Sequence, residues 1–415
     1  MGSTAAVSVP YNELDDLVIS LPPELDASWL AYEKKAGLLP RPVNPPKKSM
    51  AELLERQAQY AEECRALNAR LLAPRARYEH LNQGIYTELT TVPSRLDRAQ
   101  IPVLKYGLAA QNNQPGEKTR EAADDDDALE KTIIVYYHGG GLHVGEADSE
   151  DISCRQLLKA GIAGQILVYS VGYRLMPAYP ARTCVSDAID AFNAVRTSNP
   201  SSRFVIVGSS SGGQLAALVS QAADKDALHG VLLRCPVTSD AFSGMDYVPN
   251  YVRESHTSTA PEFATTLLGR MDRATPRDGL EIMPLEADDA QIKGMPRTWI
   301  QICTNDMLYS DGLTYAMALE TVDVDVKVDA VWGFPHTFWL KAPLLERAVL
   351  ADQMMVNALR WVLDEDVKDE DEDMQGSGEE EEGEEEEGEE EEEDDVAQGP
   401  DGDYTWKHTY GKPTV

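Results

Sequence analysis

Phe204-Val205-Ile206-Val207-Gly208-Ser209-Ser210-Ser211-Gly212-Gly213-Gln214-Leu215-Ala216-Ala217-Leu218-Val219 is the stretch whose reading decides the architecture. An apolar, β-branched run enters it, a helix-forming run leaves it, and a serine among glycines stands between them. The spacing predicts a strand, a sharp turn and a helix, with the Ser210 hydroxyl lifted clear of its neighbours beside the helix's N-terminal amides. Gly-x-Ser-x-Gly alone is a weak pattern, so its weight depends on what the chain places at its other strand ends.

Upstream, Lys131-Thr132-Ile133-Ile134-Val135-Tyr136-Tyr137 reads as a buried strand that runs directly into His138-Gly139-Gly140-Gly141. Three successive glycines leave backbone amides unshielded. When a serine attacks a carbonyl, the oxygen gains negative charge, and prepositioned N–H groups in a dry site stabilise it. Gly140 and Gly141, with the amide of Ser211, are the expected donors. A phosphate loop would carry Lys followed by Ser or Thr, which is missing here.

A serine nucleophile needs a base. Seven histidines are present: His80, His138, His143, His229, His256, His336 and His408. In hydrolases built on a strand–elbow–helix the order along the chain is Ser, acid, His, which leaves the four beyond Ser210. His229 precedes the strand-like Val231-Leu232-Leu233, on what should be the far edge of the sheet. His256 sits in a polar stretch with no strand before it, and His408 lies beyond a charged tail. His336 follows the strand-like Val326–Val331 in a loop at its C-terminal end, where α/β proteins gather catalytic residues.

The acid should follow the preceding strand, Thr298-Trp299-Ile300-Gln301-Ile302-Cys303, and Asp306 is the first carboxylate past it. It would fix the imidazole tautomer and steady the imidazolium. Asp311, five positions on, is the rival; its expected role is to open the helix Gly312–Leu319 as an N-cap.

Taken in order, His138-Gly139-Gly140-Gly141, Tyr173-Arg174-Leu175-Met176-Pro177, Gly208-Ser209-Ser210-Ser211-Gly212-Gly213, Asp306-Met307-Leu308 and His336 resemble the motifs of the hormone-sensitive-lipase-like carboxylesterases of the α/β-hydrolase superfamily. The resemblance covers roughly residues 80 to 363. It implies an α/β-hydrolase fold: a central, mostly parallel eight-stranded sheet flanked by helices. It also implies a cap made of N-terminal helices and an insertion after the sixth strand, and neither a metal nor an organic cofactor. Three positions depart from the family. Ser209 and Ser211 stand where Asp and Ala are common, and Ala178 stands where a Glu is usual. The expectation is that a carboxylate near the site is lost.

Domain boundaries follow: 1–80 as an N-terminal helical cap region, 81–363 as the catalytic unit with 238–292 as the cap insertion, and 364–415 as an acidic tail. Ser49 is expected to cap a helix from Met50 to Leu72, Pro40 to Pro46 to break the chain before it, and Glu262 to Met271 to form a short helical piece. Gln111 to Glu130, with Asp124-Asp125-Asp126-Asp127, reads as a surface loop between two strands.

The chain carries 71 acidic against 37 basic residues, a net charge of −34. From Asp364 to Asp395 there are 23 acidic side chains and one lysine, Lys368. Such a segment repels itself and has nothing apolar to bury, so it is expected to be disordered, a solubilising appendage or a contact for a basic protein. This charge balance disfavours nucleic-acid binding. No apolar run approaches the roughly 18 residues of a membrane span, and there is no signal-peptide pattern. Cys64, Cys154, Cys184, Cys235 and Cys303 are scattered and odd in number, which with no secretory signal points to reduced thiols and a cytoplasmic setting. No His-Glu-x-x-His or paired Cys-x-x-Cys occurs, so no zinc site is expected.

The function expected from these residues is serine-dependent hydrolysis of a small or medium carboxylic ester. The same three side chains could instead serve acyl transfer, lactone opening or cyclisation in natural-product metabolism. A third alternative is a ligand-binding receptor on the same scaffold, as in the plant gibberellin receptors, which lack the histidine that this chain has at position 336.

Overall fold

The computed structural model describes residues 14–38, 49–109, 131–264 and 275–365. The polar insertion 111–130, the Pro40–Pro46 break, most of the piece expected at Glu262–Met271, His408 and the acidic tail past Glu365 lie outside the described residues.

Eight strands form one sheet: β1 (Ile85–Pro93), β2 (Gln100–Leu108), β3 (Lys131–Tyr137), β4 (Gln165–Val171), β5 (Arg203–Ser209), β6 (Leu228–Arg234), β7 (Thr298–Asn305) and β8 (Val326–Pro335). Their spatial order is β1-β2-β4-β3-β5-β6-β7-β8. β1 pairs antiparallel with β2, and β2 with β4, while every pair from β4 to β8 is parallel. The mostly parallel eight-stranded α/β sheet is thus as expected.

The central strands are apolar on both faces because helices cover both faces. Ile133, Val135 and Tyr137 of β3, with Phe204 and Ile206 of β5, enter one core. The alternate residues Ile134, Tyr136, Val205 and Val207 enter the other. The period of two assigns each side chain to its layer, and each fully buried aliphatic contributes about 1.5–3 kcal/mol of transfer free energy.

Nine α-helices occur among the described residues: α1 (Ala27–Lys35), α2 (Met50–Leu71), α3 (Asp151–Leu158), α4 (Ala181–Ser198), α5 (Ser211–Ala222), α6 (Asp289–Ile292), α7 (Tyr309–Glu320), α8 (Phe338–Lys341) and α9 (Glu346–Val362). α4, α5 and α7 supply residues to the first core, and α3 and α9 to the second. At the start of α2 the side chains of Ser49 and Glu52 cap each other's backbone amides, the reciprocal arrangement that satisfies two orphan donors. Trp29 of α1 packs with Phe334, Phe338 and Trp339 beside β8. Between β6 and β7 the described residues form short 3-10 turns and α6, with Pro261–Phe263 at the start of the piece expected to be helical. No helix among the described residues is long and apolar enough to cross a membrane.

Candidate active site

β5 ends at Ser209 and α5 begins at Ser211, so Ser210 is the whole of the turn between them. Its φ of 54° and ψ of −123° are strained for a residue with a Cβ, a cost on the order of 1–3 kcal/mol that the surroundings must impose. Packing explains why the turn can be so tight. A Cβ on Gly212 would lie 2.0 Å from the carbonyl oxygen of Tyr137 and 2.4 Å from that of His138, so only glycine lets α5 start against the end of β3.

Two loops at the C-terminal ends of neighbouring strands meet this serine. Asp306 follows β7 directly, and His336 follows β8, with Thr337 in the left-handed region (φ 47°) turning the chain into α8. His336 Nε2 lies 2.8 Å from Ser210 Oγ, and His336 Nδ1 lies 2.6 Å from Asp306 Oδ2. The remaining Asp306 oxygen, Oδ1, accepts the Leu308 N–H at 2.9 Å. Three residues far apart in sequence therefore form one buried hydrogen-bonded chain. Burial disfavours charge on the His336 ring, but the adjacent Asp306 carboxylate, through charge and hydrogen bond, outweighs it, with Cys235 adding to the same side. The imidazole is held above its ordinary range.

The amides of Gly140, Gly141 and Ser211 have no acceptor bonded to them among the described residues. Gly140 has φ 120° and Gly141 φ 65°, and the loop is tied to α5 by Leu142 N–H donating to Ser211 Oγ at 3.1 Å. Ser210, the three glycines and His336 line one cavity of about 330 Å³. Tyr60 of α2, Val237 and Phe263 wall it, and Lys341 closes one side. Lys341 Nζ donates to the His336 carbonyl at 2.8 Å, and burial, partly offset by Asp306, lowers its ammonium to about 8.

The other expected candidates lie elsewhere. Asp311 is not the N-cap of α7: the helix opens at Tyr309 with Leu308 as cap, and Asp311 is its third residue. Its carboxylate turns toward the insertion, accepting the N–H groups of Thr238 and Ser239 at 2.8 and 2.9 Å and the Ser239 hydroxyl at 2.8 Å. A hydrogen-bond requirement of the insertion, invisible in local sequence, outcompetes capping. His256 Nε2 faces the same carboxylate. His229 lies at the opposite, N-terminal end of β6, and His138 is buried against Tyr173, ring centroids 4.3 Å apart.

Sequence reasoning missed Glu150. It stands at the residue before α3, without bonding that helix's amides, and sits 5% exposed beneath the glycine loop, accepting the Gly139 N–H and the Ser209 hydroxyl, each at 2.6 Å. The expected loss of a carboxylate through Ser209 is therefore made good from another segment. The signal was faint: an acid twelve positions after His138, in a stretch with three other carboxylates, Glu146, Asp148 and Asp151. Cys235, likewise unassigned, brings its sulfur, together with Asp306 and His336 donor atoms, within a 4.8 Å set; two of those three already bond each other. All five cysteines are free thiols.

Residues 134–340 match the family described as the alpha/beta hydrolase fold. The chain is 32% identical over 235 residues to an ethyl acetate hydrolase of Pseudomonas putida, covering 53% of this chain and 70% of that protein. It is 30% identical over 239 residues to FAD-linked oxidoreductase pytB of Aspergillus terreus, covering 54% of this chain and spanning 28% of that protein's length. The solved hyperthermophilic esterase of Pyrobaculum calidifontis shares the fold, with a TM-score of 0.60 at 22% identity over 82% of this chain and 99% of that one. The chain belongs to the α/β-hydrolase family, in the carboxylesterase group whose motifs it resembles.

Proposed function

We propose that this chain is a serine carboxylic ester hydrolase. The observation that carries the reading is the position of His336, within hydrogen-bonding distance of Ser210 Oγ on one ring nitrogen and Asp306 on the other. Nδ1–H bound to the carboxylate leaves Nε2 as the acceptor facing the hydroxyl, the tautomer that a general base needs. His336 takes the Ser210 proton as Oγ bonds to the ester carbonyl carbon. The oxyanion is held by the free amides of Gly140, Gly141 and Ser211. His336 then gives its proton to the alkoxide as the C–O bond breaks. Water, deprotonated by the same nitrogen, releases the acid and restores Ser210.

The cavity volume suits a small or medium ester, and the similarity to an ethyl acetate hydrolase supports the same class. Residues 1–80 and 238–292 are proposed as the cap: Tyr60 from the first and Phe263 from the second wall the cavity, so they would set acyl-chain preference. Ser210→Ala should abolish turnover of p-nitrophenyl esters and labelling by a fluorophosphonate without changing the circular dichroism spectrum. A panel of graded acyl lengths reads the pocket; retained turnover in Ser210→Ala rejects the mechanism.

A further inference from the structure

Glu150 is a buried carboxylate with three donors and no place in the chemistry above. Oε1 accepts both the Gly139 N–H and the Ser209 hydroxyl at 2.6 Å, and Oε2 accepts the Tyr136 hydroxyl. The donors come from the end of β3, the first glycine of the following loop, and the last residue of β5. These are the two segments whose relative placement decides whether the Gly140 and Gly141 amides meet the oxyanion on the carbon that Ser210 Oγ attacks. Besides this side chain, the bond from Leu142 N–H to Ser211 Oγ joins the loop to the elbow, and the Tyr173 hydroxyl holds the His138 carbonyl at 2.6 Å.

Charge matters as well as shape. A carboxylate is acceptor-only, so it can satisfy three converging donors at once, and charge-assisted bonds are roughly twice as strong as neutral ones. Its site opens α3, where the helix dipole favours a negative group.

We infer that Glu150 is a positioning residue for the reaction, clamping the Gly139–Gly141 loop to the strand that carries the nucleophile. Ser209 is its partner: a hydroxyl there leaves room for, and donates to, a carboxylate reaching in from α3. An aspartate at 209 would instead set two acids against each other at the present 2.6 Å contact. The inference rests on the serine-hydrolase reading.

Three variants test it against a p-nitrophenyl ester: Glu150→Gln, Ser209→Asp, and the exchange Glu150→Ser with Ser209→Asp. Loop displacement of about 1 Å costs on the order of 10²-fold in rate, so Glu150→Gln should lose about that factor in kcat with KM within two-fold. Affinity for a boronic acid transition-state analogue should fall in parallel, while fluorophosphonate still labels Ser210. Ser209→Asp alone should be the worst of the three, and the exchange should recover at least ten-fold over it. Glu150→Gln within two-fold of wild type, or kcat losses in all three variants that track only their melting temperatures, would overturn the inference. A wild type that neither turns over ester nor labels at Ser210 would instead overturn the underlying reading, and this inference with it.

Discussion

Asp311 Oδ1 lies 2.9 Å from His256 Nε2 with both side chains sealed from solvent, a second buried acid–histidine pair five residues from the first acid. It lacks an exposed nucleophile: the hydroxyl it meets, Ser239, is itself buried and donates to Asp311. The two pairs divide the work, one facing the cavity and one pinning the insertion to α7.

That division predicts opposite phenotypes. Asp306→Asn should reduce kcat by about 10³–10⁴-fold, because the imidazole loses the partner that fixes its tautomer, with little change in melting temperature. Asp311→Asn should keep most of its kcat yet destabilise the fold by about 2–4 kcal/mol, since donors now aimed at a carboxylate would meet an amide. Steady-state kinetics alongside thermal denaturation of both variants decides it, and the reverse ranking would move the acid role to Asp311.

Proton occupancy of His336 gives a second prediction. Its folded-state affinity for the proton is raised by Asp306, and a base works only when deprotonated. The rising limb of kcat/KM should therefore fall on the alkaline side of an ordinary imidazole, above pH 6.5. In Asp306→Asn the attraction is gone while burial still disfavours charge, so the residual activity should show this limb at lower pH. A limb that stays in place in the variant would mean that another group controls it.

Much of this site is legible in the sequence because it is built at strand ends. Val205–Val207 and Ile133–Val135 announce buried parallel strands, and in such a sheet the residues just past the C-terminal ends converge on one rim; Ser210, Asp306 and His336 all stand there. What local pattern cannot carry is the acceptor requirement of a distant segment. Asp311 looks like a cap and serves the insertion; Glu150 looks like one of several surface acids and serves the glycine loop. Tyr60 reaches the cavity from a helix whose apolar spacing says only that one side is covered.

The glycine loop allows a sharper test of geometry. At Gly140 an added Cβ would lie 2.1 Å from the Val144 carbonyl oxygen, on a backbone with φ 120°; at Gly141 it would meet nothing within 4 Å, with φ 65°. Gly140→Ala should displace the loop and reduce kcat by on the order of 10²-fold or more. Gly141→Ala should cost about 1 kcal/mol of stability, the ordinary penalty for a left-handed alanine, with a smaller rate loss. Equal kinetics in the two variants would argue against these amides as oxyanion donors.

Away from the site, Asp329 of β8 accepts the Trp299 indole N–H at 2.7 Å, and burial holds its carboxyl at about 6 against an ordinary value of about 4. The folded protein thus binds this proton more tightly than the unfolded chain does. Stability from this group is unimpaired below about pH 4, declines as pH rises toward 6, and stays reduced above it; the difference corresponds to about 2–3 kcal/mol. Asparagine keeps an oxygen for Trp299 and cannot ionise. Asp329→Asn should accordingly melt a few degrees higher than wild type at pH 8 and no higher at pH 4, with kcat unaltered at both. Thermal denaturation at the two pH values checks this, and a gain of equal size at pH 4 would show that packing, rather than the ionisation of a half-buried carboxyl, sets the stability of β8.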